Sequence, residues 1–152
     1  MRPKRLFGNG KKQRGNALVE LSLALPLLIA LFLGTWQFGY AYYLYGELEQ
    51  SVRAGGRYAS LAAYDAADPS GFETAVRNVV VYGDPDPAAG ARPVVPGLSP
   101  AHVQVEIIFS GAMPTAVTVS ISGYELPGMF TSIVLDGKPS NQFPYLGPWA
   151  PV

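Results

Sequence analysis

The sequence predicts an α+β protein, in which a long N-terminal transmembrane helix extends into a small exported domain holding a short helix and an antiparallel β-hairpin or small sheet. Three features predict it. Residues 21–46 form a run of 26 positions without a charge, directly after a basic head. Helical spacing of apolar residues then continues to about position 63. Between 103 and 121, apolar and polar residues alternate with the period of two of half-buried strands.

Of the 152 residues, 49% are hydrophobic and 14% charged, against roughly 25% charged in soluble domains. That shortage argues against intrinsic disorder and against a freely soluble particle. The formal net charge of zero hides a split: Arg2, Lys4, Arg5, Lys11, Lys12 and Arg14 precede every acid, and the other five basic residues face eleven acids. Cations placed directly before an apolar run, rather than among aromatics, point to membrane orientation and away from nucleic acid. The chain has no cysteine, which excludes disulfides, thiolate metal sites and cysteine nucleophiles.

At about 1.5 Å per residue, a helix over 21–46 exceeds the roughly 30 Å hydrocarbon core of a bilayer. Its second half carries Trp36, Tyr40, Tyr42, Tyr43 and Tyr45, amphipathic rings of the kind that settle at a membrane–water interface. Basic residues at one end and this belt at the other predict a single pass through the cytoplasmic membrane, with the N-terminus in the cytoplasm and the rest exported. A signal peptide would have an apolar region of about 7–15 residues and a small-residue cleavage site; this run is longer and ends in bulky aromatics. Leu48, Val52, Ala59 and Ala62 keep helical spacing, and Glu49 precedes Arg53 by four residues, so one helix is expected over about 17–63. Pro26 is expected to kink it, and Gly55-Gly56 to soften it.

Glu20 opens the apolar run, in Arg14-Gly-Asn-Ala-Leu-Val-Glu-Leu21. A carboxylate drawn into hydrocarbon is costly, which makes an intramembrane acid a functional candidate; the plain alternative is a side chain at headgroup level near a helix N-terminus. A basic leader ending in Gly15, a glutamate five residues later and an immediate apolar helix together resemble a type IV prepilin. Arg14-Gly-Asn-Ala-Leu-Val-Glu-Leu-Ser-Leu-Ala-Leu-Pro26, Gly34-Thr-Trp-Gln-Phe-Gly-Tyr40 and Arg53-Ala-Gly-Gly-Arg-Tyr-Ala59 resemble the TadE/TadG-like proteins of the tight-adherence (Flp) pilus system. The resemblance spans about positions 14–63.

It implies a pilin-like minor pilin or pseudopilin, cut between Gly15 and Asn16 by a prepilin peptidase, with Glu20 used in assembly. Its partners would be membrane lipid, that peptidase, other pilins and the pilus assembly platform, with the cytoplasmic membrane and the pilus as its locations. The implied division is a cleaved leader at 1–15, a transmembrane and extended helix at 16–63, and an exported domain at 64–152. Leu21 stands where the family often has phenylalanine or tyrosine after the glutamate. TadG-like members can carry a large added domain, which about ninety residues after the helix do not accommodate, so the TadE-like reading is preferred. The alternative is a membrane-tethered binding module that is neither cleaved nor assembled.

Beyond residue 64 the composition shifts, with 12 of the 14 prolines after position 68. Ser70 followed by Glu73, ahead of Val76 and 79–82, predicts a capped short helix ending near Gly83, with a strand over the β-branched 79–82 as the alternative. The proline-rich 84–100 is expected to be a loop. Val103, Val105, Ile107 and Phe109 alternate with polar residues, as do Val117, Val119 and Ile121; with 110–114 between them they predict a hairpin. Two strands alone are marginal, so one face needs cover, and the exported end of the long helix is the available cover. The tail, with Phe130, Ile133, Val134, Leu135, Phe143, Tyr145, Leu146 and Trp149 among prolines and glycines, fits an edge strand or a packed irregular segment equally well.

No enzyme is expected. His102 is the lone histidine and Ser99 the nearest hydroxyl, with no nucleophile-elbow pattern around them. Asp84 and Asp86 fall short of the oxygens a calcium ion requires, and a solvated turn accounts for them. Gly8-Asn-Gly-Lys-Lys12 lacks phosphate-loop spacing. No cofactor or metal is expected.

Overall fold

The computed structural model describes residues 10–111, 113–128 and 132–150, with side chains over 15–148 of these. The basic positions 2, 4 and 5, Ala112 in the expected turn and Phe130 in the tail lie outside the described residues. The fold is α+β. It opens with helix α1 (Gly10–Leu61), followed by β1 (Tyr64–Asp65), α2 (Pro69–Tyr82), a 3-10 turn (Pro100–His102), β2 (Val103–Ser110), β3 (Met113–Ile121), β4 (Tyr124–Leu126), β5 (Ile133–Leu135), β6 (Ser140–Pro144) and β7 (Trp149–Ala150). The chain forms two compact units, Met1–Gly39 and Tyr40–Val152.

Among the described residues of the first unit, α1 has no buried side chain. Leu18, Leu23, Leu27, Leu31 and Phe32 are all exposed, and Pro26 lies inside the helix. Among the described residues, α1 is the one helix long and apolar enough to cross a membrane, and its apolar window is wholly uncovered. Past Tyr43 the same helix becomes one-sided. Leu44, Leu48, Ser51, Val52, Gly55, Gly56, Ala59 and Ser60 are buried, at the three- and four-residue steps that place side chains on one stripe.

That stripe shares a single core with Val76, Val80 and Val81 of α2, Val103, Val117, Val119 and Ile121 of the sheet, and Tyr124, Leu126 and Leu135 of β4 and β5. The expected cover for the hairpin is therefore present, and α2 adds to it. Gly55-Gly56 does not loosen the helix as the sequence predicted, because α1 runs through both without a break. Each glycine instead admits a neighbour: a Cβ at Gly55 would collide with Cγ2 of Val80, and one at Gly56 would lie 2.5 Å from the Phe143 ring of β6.

The predicted hairpin is β2 and β3, antiparallel, with Val105 opposite Val119 and Ile107 opposite Val117. Val117, Val119 and Ile121 are fully buried, while Val105 and Ile107 on the outer strand are half-buried. A register shift between Ile108 and Phe109 lets Pro114 sit opposite Phe109, the kind of irregularity at which a strand accepts proline. The tail supplies the third strand: β6 pairs antiparallel with β3, Val117 opposite Phe143 and Val119 opposite Asn141. Two small sheets complete the fold, parallel β1–β7 and antiparallel β4–β5.

Helix α2 ends at Gly83, in the left-handed region at φ 77°, where a glycine carries no steric penalty. It is helical over 79–82, so burial of Val79, Val80 and Val81 overrides their strand propensity. The start differs from the Ser70 cap expected from the sequence. Asp68 is the cap and Pro69 takes the first turn, because proline needs no N–H partner there. The Asp68 carboxylate accepts from the Ser70 hydroxyl at 2.7 Å and from the Gly71 N–H at 3.0 Å.

Those two bonds, the Ser70 bond first, hold the Asp68 carboxyl below its ordinary value of 3.8. A carboxyl depressed by folding stabilises fully above its unfolded value, and the stabilisation is lost as pH falls through the folded value. Asp68→Ala should thus lower Tm at neutral pH, and the gap to wild type should close as both are acidified below the carboxylate range. Circular-dichroism melts across pH check this; a gap that persists in acid would place the role of Asp68 in something other than its charge.

Candidate processing and assembly segment

Gly15, Asn16 and Glu20 all lie on α1, exposed, and Asn16 precedes Glu20 by one helical turn. Apart from the chain neighbours and the backbone of the helix itself, no described atom lies within 4 Å of where a Gly15 Cβ would stand. Leu18, Val19 and Leu21 beside Glu20 are exposed too. α1 begins at Gly10, earlier than the start near 17 expected from the sequence, so Gly15 and Glu20 lie inside the helix and Glu20 stands ahead of its uncovered apolar run.

The aromatic positions divide. Phe32 and Trp36 pack one turn apart at 6.4 Å between ring centroids, and Trp36, Tyr40, Tyr42 and Tyr43 are exposed, Tyr42 at 81%. Tyr45 is half-buried against the core of the second unit. These aromatics lie where α1 passes from exposed to covered, since among the described residues Leu44 is its first buried side chain.

The far end of α1 is secured by contacts that the residue pattern did not reveal. Ser60 donates its hydroxyl to Pro144 O at 2.6 Å and its carbonyl accepts from Leu146 N–H. The Tyr145 hydroxyl lies 2.8 Å from Ala62 O and 2.7 Å from Pro148 O, and accepts from Tyr64 N–H at 2.9 Å. Burial pushes that phenol above its ordinary value, against the Tyr64 bond, which lowers it. One side chain thereby joins the end of α1 to β1 and the approach to β7. The signal available in the sequence was a lone tyrosine between two prolines, which marks no partner.

Ser99 and His102 do meet. Nδ1 of His102 accepts the Ser99 N–H at 3.2 Å, and the Ser99 hydroxyl lies 3.2 Å from the same nitrogen, an arrangement in which each residue caps the 3-10 turn for the other. The ring stacks edge-on against Tyr124 at 5.7 Å, beside a cleft of about 390 Å³ that Pro96, Gly97 and Pro127 also line. Asp84 accepts from the Asp86 N–H, a local turn. Among the described residues no group of three or more histidines, aspartates or glutamates is placed to hold a metal.

A helix able to cross a membrane and continuing into an α+β unit defines the class of the molecule. The family model for TadE-like protein matches residues 15–57, beginning at Gly15 and ending just past Gly55-Gly56. The match falls on the helix from which the TadE-like resemblance was read, and does not extend over the sheet. No curated protein and no solved structure matches the chain.

Proposed function

We propose that this chain is a minor pilin or pseudopilin of a tight-adherence (Flp) type IV pilus, held in the cytoplasmic membrane with residues 64–152 exported and 1–15 removed by a prepilin peptidase. The observation that carries the reading is the coincidence of the TadE-like match with the Gly15-to-Glu20 spacing directly ahead of an uncovered apolar helical run. Glycine gives a peptidase close backbone access, and six leader cations keep that bond in the cytoplasm. Other pilins and the assembly platform are its partners in this role, and the role is structural rather than catalytic.

Cleavage creates an amine at Asn16, one turn before Glu20. In a low-dielectric setting, Glu20 either pairs with its own chain's amine or meets that of a neighbouring subunit and sets its axial register. Intact-mass measurement on membranes containing the peptidase should find a mature chain beginning at Asn16; a chain still starting at Met1 or Arg2 overturns the pilin reading in favour of a tethered module. In the same membranes Glu20→Ala should be inserted and cleaved but co-purify less with other pilins. Undiminished co-purification would limit Glu20 to the anchor.

A further inference from the structure

The hydrogen bonds around β3 fix which way each strand residue faces. Ile121 N–H donates to Pro139 O and Tyr145 N–H to Thr115 O, on the β6 side, while Ser122 N–H donates to His102 O on the β2 side. Backbone groups alternate sides along a strand, so the odd-numbered residues over 115–121 bond β6 and the even-numbered ones bond β2. Through the register, Gln104, Glu106 and Ile108 bond β3, and Val105 and Ile107 turn their N–H and C=O groups the other way. Phe109 does the same beyond the register shift, opposite Pro114, which has no N–H to offer. Strand β2 is an edge of its sheet. Among the described residues, nothing bonds the backbone of these three positions on the free side.

Elsewhere the sheet margin is closed. Pro144 of β6 has no N–H and its carbonyl accepts the Ser60 hydroxyl, and at the start of β2 Val103 N–H donates to Pro100 O. Positions 105–109 carry no proline and no lysine, the residues that commonly blunt an edge. Val105 and Ile107 pack against the core yet stay half-buried, and Phe109 is 46% exposed. On the other face Glu106 is exposed, with no ion pair among the described residues. We propose that β2 binds an extended segment of another protein as a fourth strand, apolar where it meets Val105, Ile107 and Phe109 and basic where it meets Glu106. Charge supports the basic face, since all of the eleven acids but Glu20 lie in this unit, with five of the eleven bases. A second copy does not fit. Helix α2 rests on β2, so a copy joined through its own β2 would set its α2 roughly one strand spacing, about 4.8 Å, from the first, where packed helices need about 8–10 Å.

The surface lies wholly within the second unit, and its test uses the full-length chain in detergent with a fluorescein-labelled peptide of alternating lysine and valine, lysine at both ends and valine at three positions. In an added antiparallel strand the valines stand opposite Val105, Ile107 and Phe109 and aim their N–H groups at β2, while the lysine N–H groups point away. Two isomers of equal mass are compared, one with its backbone N-methylated at the three valines and the other at three of the lysines. Fluorescence anisotropy should show the lysine-methylated isomer binding at least about tenfold more tightly. Hydrogen exchange followed by NMR should find the amides of Val105, Ile107 and Phe109 slowed about tenfold by that isomer, and those of Gln104 and Glu106, already held in the ladder, unchanged. Equal affinity of the two isomers would reduce the contact to side-chain attraction and overturn strand addition, as would failure of both to bind. Amides of Val105 and Ile107 that are protected before any peptide is added would also overturn it, and in a chain that sediments as a dimer they would place a second copy on the edge.

Discussion

Val119→Asp should unfold the second unit, because Val119 is fully buried at the centre of a three-stranded sheet, opposite Val105 on one side and Asn141 on the other. An unpaired carboxylate in that position costs about 4 kcal/mol or more, a large share of the roughly 5–15 kcal/mol that holds an ordinary domain together. Gln104→Asp, one residue before Val105 and exposed on the outer strand, should change stability by less than about 0.5 kcal/mol. Val105→Asp should fall between them, since Val105 is only half-buried. Thermal melts in detergent, followed by circular dichroism, give the order. Equal losses at Val119 and Gln104 would mean that the register of β2 on β3 is wrong.

The same strands show what a sequence can carry. Val103 to Phe109 and Val117 to Ile121 were legible because one buried face imposes a period of two, and Gly83 because a left-handed helix end nearly demands glycine. Strand β6 was not, since Ser140-Asn-Gln-Phe-Pro144 has no alternation and takes its place from the edge that β3 offers. The two-residue strands β1 and β7 owe their pairing to Tyr145 and Pro148, contacts more than eighty residues apart in sequence. Asp68 was hidden by Ser70 two positions later, which resembles a better cap until Pro69 is counted as the first helical residue. Gly15 and Glu20, whose use in processing and assembly stays a proposal, can be singled out in the sequence because their spacing lies within one helix and needs no tertiary partner. The hairpin of β4 and β5 needs several, and no local pattern announces it.

Gly55→Leu should have the second large effect, and its sign separates two uses of glycine in one helix. Glycine inside a helix is worse than alanine by about 0.5–1 kcal/mol, so a glycine that is merely tolerated improves on substitution. Gly46 is such a position, with nothing within 4 Å of an added Cβ, and Gly46→Ala should raise stability by about 0.5 kcal/mol. At Gly55 the added Cβ meets Val80, a fully buried β-branched side chain with little freedom to turn, and Val76 O is 3.5 Å away. Leucine there must push α2 off α1 or distort both, at a cost of about 3 kcal/mol or more. Since α1 runs unbroken through Gly46 and Gly55, a difference between the variants reports packing of α2 and not helix formation. Melts of the two proteins in the same detergent should move in opposite directions. A gain in stability from both would mean that α2 does not rest on Gly55, and would return Gly55-Gly56 to the role of a soft point in the helix.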